Sequence, residues 1–160
     1  MYFSSVLGCN LGMFYKRRDY TRVVNGRNPI VAHEYLGDSV EGKTVFIADD
    51  IIASGESMLE VASNLKARGA KRIIADATFP LFTSGLDKFD KAVEEGTLDY
   101  VVGTNLTYRK PELLNRDWYV DVDVSKYAAY FIVALNHDMS VSSIIDPIKS
   151  MVYCQSNRAR

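Results

Sequence analysis

Two adjacent carboxylates, Asp49 and Asp50, close an apolar run that begins at Val45, and the chain then passes through Ser54, Gly55 and Ser57 into a helical pattern. A strand, a carboxylate pair, a small-residue loop and a helix in that order suit a ligand with two chemically different ends. Ser57 with Glu60 three residues later makes a capping box, which predicts that the loop 51–56 wraps the start of the helix. Backbone N–H groups and the positive end of the helix dipole there favour a phosphate. The two carboxylates would repel that phosphate unless they faced another part of the ligand, such as vicinal hydroxyls or a bound Mg²⁺. A sugar phosphate offers diol hydroxyls at one end and a phosphate at the other. The same residues also fit an ordinary strand-to-helix turn. The loop carries no Lys and does not follow the G-x-x-x-x-G-K-[ST] pattern, so spacing leaves both readings open.

Hydrophobic patterning supplies the elements that would hold these residues. The strand predicted at Thr44–Ala48 delivers Asp49 and Asp50 to the carboxyl edge of a sheet, where open α/β sheets bind ligands. Further strands are expected at Ile30–Tyr35, Arg72–Ala77, Tyr100–Gly103 and Trp118–Val122. Helices are expected at Met1–Tyr15, Met58–Arg68, Leu86–Glu94 and Lys126–Asn136, with a weaker one at Ser143–Tyr153. Gly69 is placed to stop the second of these helices. The polar, basic segment Lys16–Asn28 reads as an exposed loop. Strands separated by helical crossovers imply a doubly wound α/β domain, with a mainly parallel sheet flanked by helices on both faces.

The chain has 160 residues, 48% of them hydrophobic, enough for one domain with its own core. Its 19 basic and 20 acidic residues nearly cancel, which gives no global attraction for nucleic acid or an anionic membrane. The longest apolar run, Tyr127–Leu135, is too short to span a bilayer, and a cytoplasmic location is the expectation. Cys9 and Cys154 read as reduced thiols without a role. His33 and His137 lack partners at metal-ligand spacing. Asp121 and Asp123 alternate with valines as on a strand with one polar face, and the many tyrosines read as core and interface residues rather than a base-stacking platform.

The segment "VFIADDIIASGES" resembles the phosphoribosyl pyrophosphate (PRPP) motif of type I phosphoribosyltransferase folds. Beyond it, "FYKRRDY" at Phe14–Tyr20 resembles the catalytic flexible loop of the ribose-phosphate pyrophosphokinase (PRPP synthetase) family. "ARGAKRIIADATFPLFTSGLDKF" resembles that family's following helix, strand and loop, and "SVSSIID" its closing segment. The resemblance implies Mg²⁺-dependent transfer of the β,γ-diphosphoryl group of ATP to the 1-hydroxyl of ribose 5-phosphate, forming PRPP. Carried over by position, Asp49 and Asp50 would hold the ribose hydroxyls, and Ala53, Ser54, Gly55, Glu56 and Ser57 would line the 5-phosphate site. Lys16 and Arg18 would be catalytic, stabilising charge on the transferred phosphates. No residue is assigned as a metal ligand.

Two departures stand out. Glu56 occupies a place where the family's commoner pattern has Gly, which brings a carboxylate near a phosphate. Ala53 replaces a common Asp, which argues against a phosphoribosyltransferase that uses PRPP to modify a base. The family also carries an N-terminal domain with ATP contacts and a metal-binding His, and nothing in this sequence matches it. The expectation is therefore a single phosphoribosyltransferase-like domain over residues 1–160, the C-terminal half of a two-domain, oligomeric enzyme, with little activity alone. The competing expectations are a non-catalytic, synthetase-associated or ribose-phosphate-sensing module, and a phosphoribosyltransferase.

Overall fold

A computed structural model of the chain describes residues 4–5, 8–18 and 30–145. Two compact units divide between Glu41 and Gly42.

The first unit contains an antiparallel pair, β1 (Met13–Arg18) and β2 (Ile30–Leu36). Phe14 and Tyr35 face each other across it with ring centroids 5.2 Å apart. Tyr35 also donates a 3.1 Å hydrogen bond from its hydroxyl to the Asp38 carbonyl, and its ring lies so close to Gly12 that a Cβ there would overlap it. These contacts overturn the helix expected over Met1–Tyr15. Within that stretch only Ser4 and Ser5 are helical among the described residues, Gly8 takes φ +64°, and the chain becomes a strand at Met13. The three-and-four spacing of apolar residues was real, but a strand partner at Ile30–Leu36 decides the outcome. The expected loop Lys16–Asn28 likewise starts as strand through Arg18, with a register shift between Arg17 and Arg18, and its part from residue 19 to 28 lies outside the described residues.

The second unit is a four-stranded parallel sheet in sequence order, β3 (Thr44–Ile52), β4 (Arg72–Pro80), β5 (Tyr100–Thr104) and β6 (Tyr119–Val122). Helices α1 (Glu56–Ala67) and α2 (Asp87–Glu94) connect the first three strands, and the short α3 (Pro111–Leu114) precedes β6. After β6 come α4 (Ser125–Asn136) and the turn of helix α5 (Ser142–Ile145); of the helix expected over Ser143–Tyr153, residues 146–153 lie outside the described residues. A parallel sheet with helical crossovers is the α/β fold that the sequence predicts.

The core sits on one face of this sheet. Along β4, Ile73, Ala75 and Ala77 are buried while Ile74, Asp76 and Thr78 are only half-buried, the period-two alternation of a strand covered more heavily on one side. From α1, Met58, Ala62 and Leu65 occupy one helical face, and α1 packs on β3 and β4. Gly69 ends α1 as expected. At φ +85° it donates to the Lys66 carbonyl (2.9 Å), and Ala70 donates to the Leu65 carbonyl (3.1 Å), a Schellman closure.

Asp76 lies at the middle of β4, aligned with Ala48 on one neighbour and Val102 on the other. Burial raises its pKa above the ordinary 3.8. A carboxyl group whose folded pKa is raised binds its proton more tightly in the folded state. Stability therefore falls as pH rises through the window above the ordinary value, and stays lowered at neutral pH. Asp76→Asn is expected to raise the unfolding temperature at pH 7, with a gain that disappears on acidification below the ordinary carboxylate range. Thermal unfolding across pH checks this.

Candidate functional site

The strand β3 runs four residues beyond the predicted end, because its pairing with β4 continues from Thr44↔Arg72 to Ile52↔Pro80. Asp49 and Asp50 are thus inside the last half of the strand rather than after it. Both are exposed, and among the described residues neither has a cationic partner. The Asp50 amide donates to Asp49 Oδ1 at 2.9 Å, which fixes one oxygen of the pair against the backbone and leaves the remaining lone pairs for a ligand.

The following loop is tied down by the connection after β4. Leu81 and Phe82 donate their amides to the Ile52 carbonyl (2.9 and 3.1 Å), and Thr83 donates to that of Ala53 (2.9 Å). Gly55 then takes φ +77° as the N-cap of α1, and the first helical bond runs from the Leu59 amide to the Gly55 carbonyl at 2.9 Å. This corrects the predicted capping box. No side chain caps the helix, because the left-handed turn at Gly55 starts it at Glu56 and leaves Ser57 already in its first turn. The positive end of the helix nevertheless lies where the sequence predicts it, beside the end of the carboxylate-bearing strand. Ser54 Oγ accepts a long contact from the Glu56 amide (3.5 Å), a local turn that orients the loop.

Gly55 is buried against Phe89, the fully buried aromatic of α2. Phe89 packs edge-on to Phe82 with centroids 4.9 Å apart and stacks on Trp118 at 5.9 Å. Asp90, the next residue of α2, accepts two 2.9 Å hydrogen bonds from the Arg116 guanidinium and one of 2.7 Å from Trp118 Nε1. Partial burial pushes the Asp90 carboxyl up, but these donors outweigh it and hold the pKa below the ordinary carboxylate range. The loop therefore rests on a rigid aromatic platform drawn from residues far along the chain.

Glu56 turns toward α2, where its Oε1 meets Lys88 Nζ at 2.6 Å. The hydrogen bond and charge of Lys88 hold the Glu56 pKa below its ordinary value. The two residues line a cleft of about 340 Å³ between α1 and α2 that also includes Leu59, Ser63 and Lys91. Sequence spacing gave no hint of Lys88, Phe89 or the 81–83 connection, since each acts on the loop from about 30 residues away.

At the same edge of the sheet, Asn105 after β5 donates to Asp123 Oδ1 (2.6 Å) and Ser125 Oγ (2.8 Å) and accepts from the Val124 amide (2.9 Å). Asp123 also accepts from the Ser125 amide at 2.8 Å, and its pKa is held down first by Ser125 and then by Asn105. Arg109 pairs with Asp121. These contacts fit the structural role predicted for Asp121 and Asp123. Lys16 and Arg18 are on β1 of the first unit, whereas Asp49, Asp50, Ala53, Ser54, Gly55, Glu56 and Ser57 all lie in the second. Among the described residues no cluster of three His, Cys, Asp or Glu side chains could hold a metal, and no helix is long and apolar enough to cross a membrane.

A parallel sheet with a carboxylate pair and a helix start at its carboxyl edge is the ligand-binding arrangement of open α/β folds. Residues 2–126 match the phosphoribosyl transferase domain, and the chain belongs to that family. Within it the similarity is to PRPP synthetases. The ribose-phosphate pyrophosphokinase of Wolinella succinogenes is 35% identical over 111 residues, 69% of this chain and 33% of that protein. The orotate phosphoribosyltransferase of Oceanobacillus iheyensis is 41% identical over a shorter 64 residues, 40% of this chain and 30% of that protein. The crystal structure of phosphoribosylpyrophosphate synthetase from Mycobacterium smegmatis shares the fold, with a TM-score of 0.57 at 22% identity, over 67% of this chain and 34% of that one. This chain thus spans about a third of the length of these relatives.

Proposed function

We propose that this chain binds ribose 5-phosphate as the sugar-phosphate part of a PRPP synthetase, the C-terminal domain in which the sugar accepts a diphosphoryl group from ATP. The observation that carries the reading is the pairing of two exposed carboxylates at the end of β3 with the start of α1 at Gly55. Asp49 and Asp50 accept hydrogen bonds from the ribose diol. Ala53 through Ser57 surround the 5-phosphate with backbone amides and the hydroxyls of Ser54 and Ser57. In the complete reaction the 1-hydroxyl oxygen bonds to the β-phosphorus of ATP as the bond to the α-phosphate bridging oxygen breaks. The products are PRPP, AMP and a proton.

The exposed carboxylates, without cationic partners among the described residues, fit a Mg²⁺ ion shared with ligand oxygens, the way Mg²⁺ is held by one or two carboxylates plus substrate phosphates. Asp49 and Asp50 would hold it, and bound there it would neutralise charge on the phosphates. Lys16 and Arg18 are the proposed catalytic cations, which would stabilise charge on the transferred phosphates. In this reading the ATP contacts belong to an N-terminal domain and the enzyme is a homo-oligomer, so this chain alone forms little PRPP. A base-modifying phosphoribosyltransferase is the second reading. The orotate phosphoribosyltransferase similarity favours it, and Ala53 disfavours it.

Amide NMR tests the binding proposal. Ribose 5-phosphate is expected to shift the backbone signals of residues 49–57 before any others. Shifts confined to other elements, or none, would remove the assignment.

A further inference from the structure

The loop carries a feature at odds with binding a phosphate, the Glu56 carboxylate at the first position of α1. A carboxylate there is favoured by the helix dipole and would compete with a phosphate for the same amides, besides repelling it. Glu56 instead reaches 2.6 Å to Lys88, on the flank where α1 and α2 form their cleft. The same helix that seats Phe89 against Gly55 thus brings the preceding residue, Lys88, to Glu56. Two successive residues of α2 engage two successive residues of the loop.

We propose that Lys88 is a positioning residue for the sugar-phosphate site. It draws the Glu56 carboxylate onto the α1–α2 flank and neutralises it, so that the loop accepts a phosphate dianion despite its acidic residue. This rests on the ribose 5-phosphate reading of the loop, and it adds Lys88 to a site to which neither the motif nor its spacing assigns it. The pair is exposed, 50% for Lys88 and 69% for Glu56, so its influence is moderate and screened by salt.

The test is calorimetric titration of ribose 5-phosphate into the chain and into Lys88→Met, Lys88→Arg, Glu56→Gln and the Lys88→Met, Glu56→Gln double variant, at low and high salt. Thermal unfolding establishes that each variant is folded. Lys88→Met is expected to weaken binding about fivefold at low ionic strength, with a smaller loss in high salt. Lys88→Arg should retain affinity, and Glu56→Gln should restore it in the Lys88→Met background. If the unmodified chain binds and Lys88→Met binds equally well, the role of Lys88 is refuted while the sugar-phosphate site stands. Equal weakening in Lys88→Met and the double variant also refutes it, because Lys88 would then act independently of Glu56. If no variant binds ribose 5-phosphate, the reading of the loop fails and the proposal falls with it.

Discussion

Replacing Gly55 by Ala is expected to destabilise the protein by about 3 kcal/mol and to abolish ligand binding at the loop. Two costs combine. An L-residue held in the left-handed region costs roughly 1–2 kcal/mol, and forcing an extra carbon into a packed site costs roughly 1–3 kcal/mol. Gly55 has φ +77°, and the added Cβ would run into the Phe89 ring, which is fully buried and hemmed in by Phe82 and Trp118. The ring cannot retreat without disturbing that aromatic cluster. Urea unfolding of Gly55→Ala, alone and combined with Phe89→Ala, separates the two costs. The double variant should lose less than the sum of the single ones, since removing the ring opens the space the methyl needs. A Gly55→Ala protein as stable as the original would mean that the loop does not adopt this conformation.

The second large effect is expected on binding. Converting both Asp49 and Asp50 to Asn should weaken ribose 5-phosphate about 100-fold, since hydrogen bonds to charged groups contribute roughly 1.5–3 kcal/mol each and both acceptors lose their charge. The fold should be unaffected, because both carboxylates are exposed and among the described residues neither anchors a cation. The urea midpoint and slope should therefore match those of the unmodified protein. Loss of stability along with affinity would instead mean that the pair closes the strand and makes no direct ligand contact.

The alternation and spacing of apolar residues were enough to identify the parallel sheet and the helices between its strands. In "MLEVASNLKARG" the apolar stripe, the basic last turn and Gly69 all agreed, and α1 ends as they require. The errors fall where a partner distant in sequence decides. Met13–Arg18 becomes a strand through pairing with Ile30–Leu36, although Met13–Tyr15 ends a stretch with helical spacing and Lys16–Arg18 opens a segment that reads as loop. The end of β3 moves past Asp49 and Asp50 because β4 remains alongside as far as Pro80. In the site, the carboxylates, the glycine turn and the helix start were legible because they are consecutive. Phe89 under Gly55 and Lys88 beside Glu56 were not, because nothing local marks a residue that arrives from another helix. Glu56 shows the consequence most clearly. In sequence it is a charge of the wrong sign at the proposed phosphate site, and only the folded chain supplies its cation.

The most direct test of the sugar-phosphate assignment is calorimetric titration of the unmodified chain with ribose 5-phosphate in Mg²⁺, beside ribose and inorganic phosphate at the same concentrations. Saturable one-site binding of ribose 5-phosphate is expected, with much weaker responses to either half of the ligand, because the proposed diol contacts lie at the end of β3 and the proposed phosphate contacts in the loop that follows. Equal binding of inorganic phosphate, or no binding of ribose 5-phosphate, would contradict it.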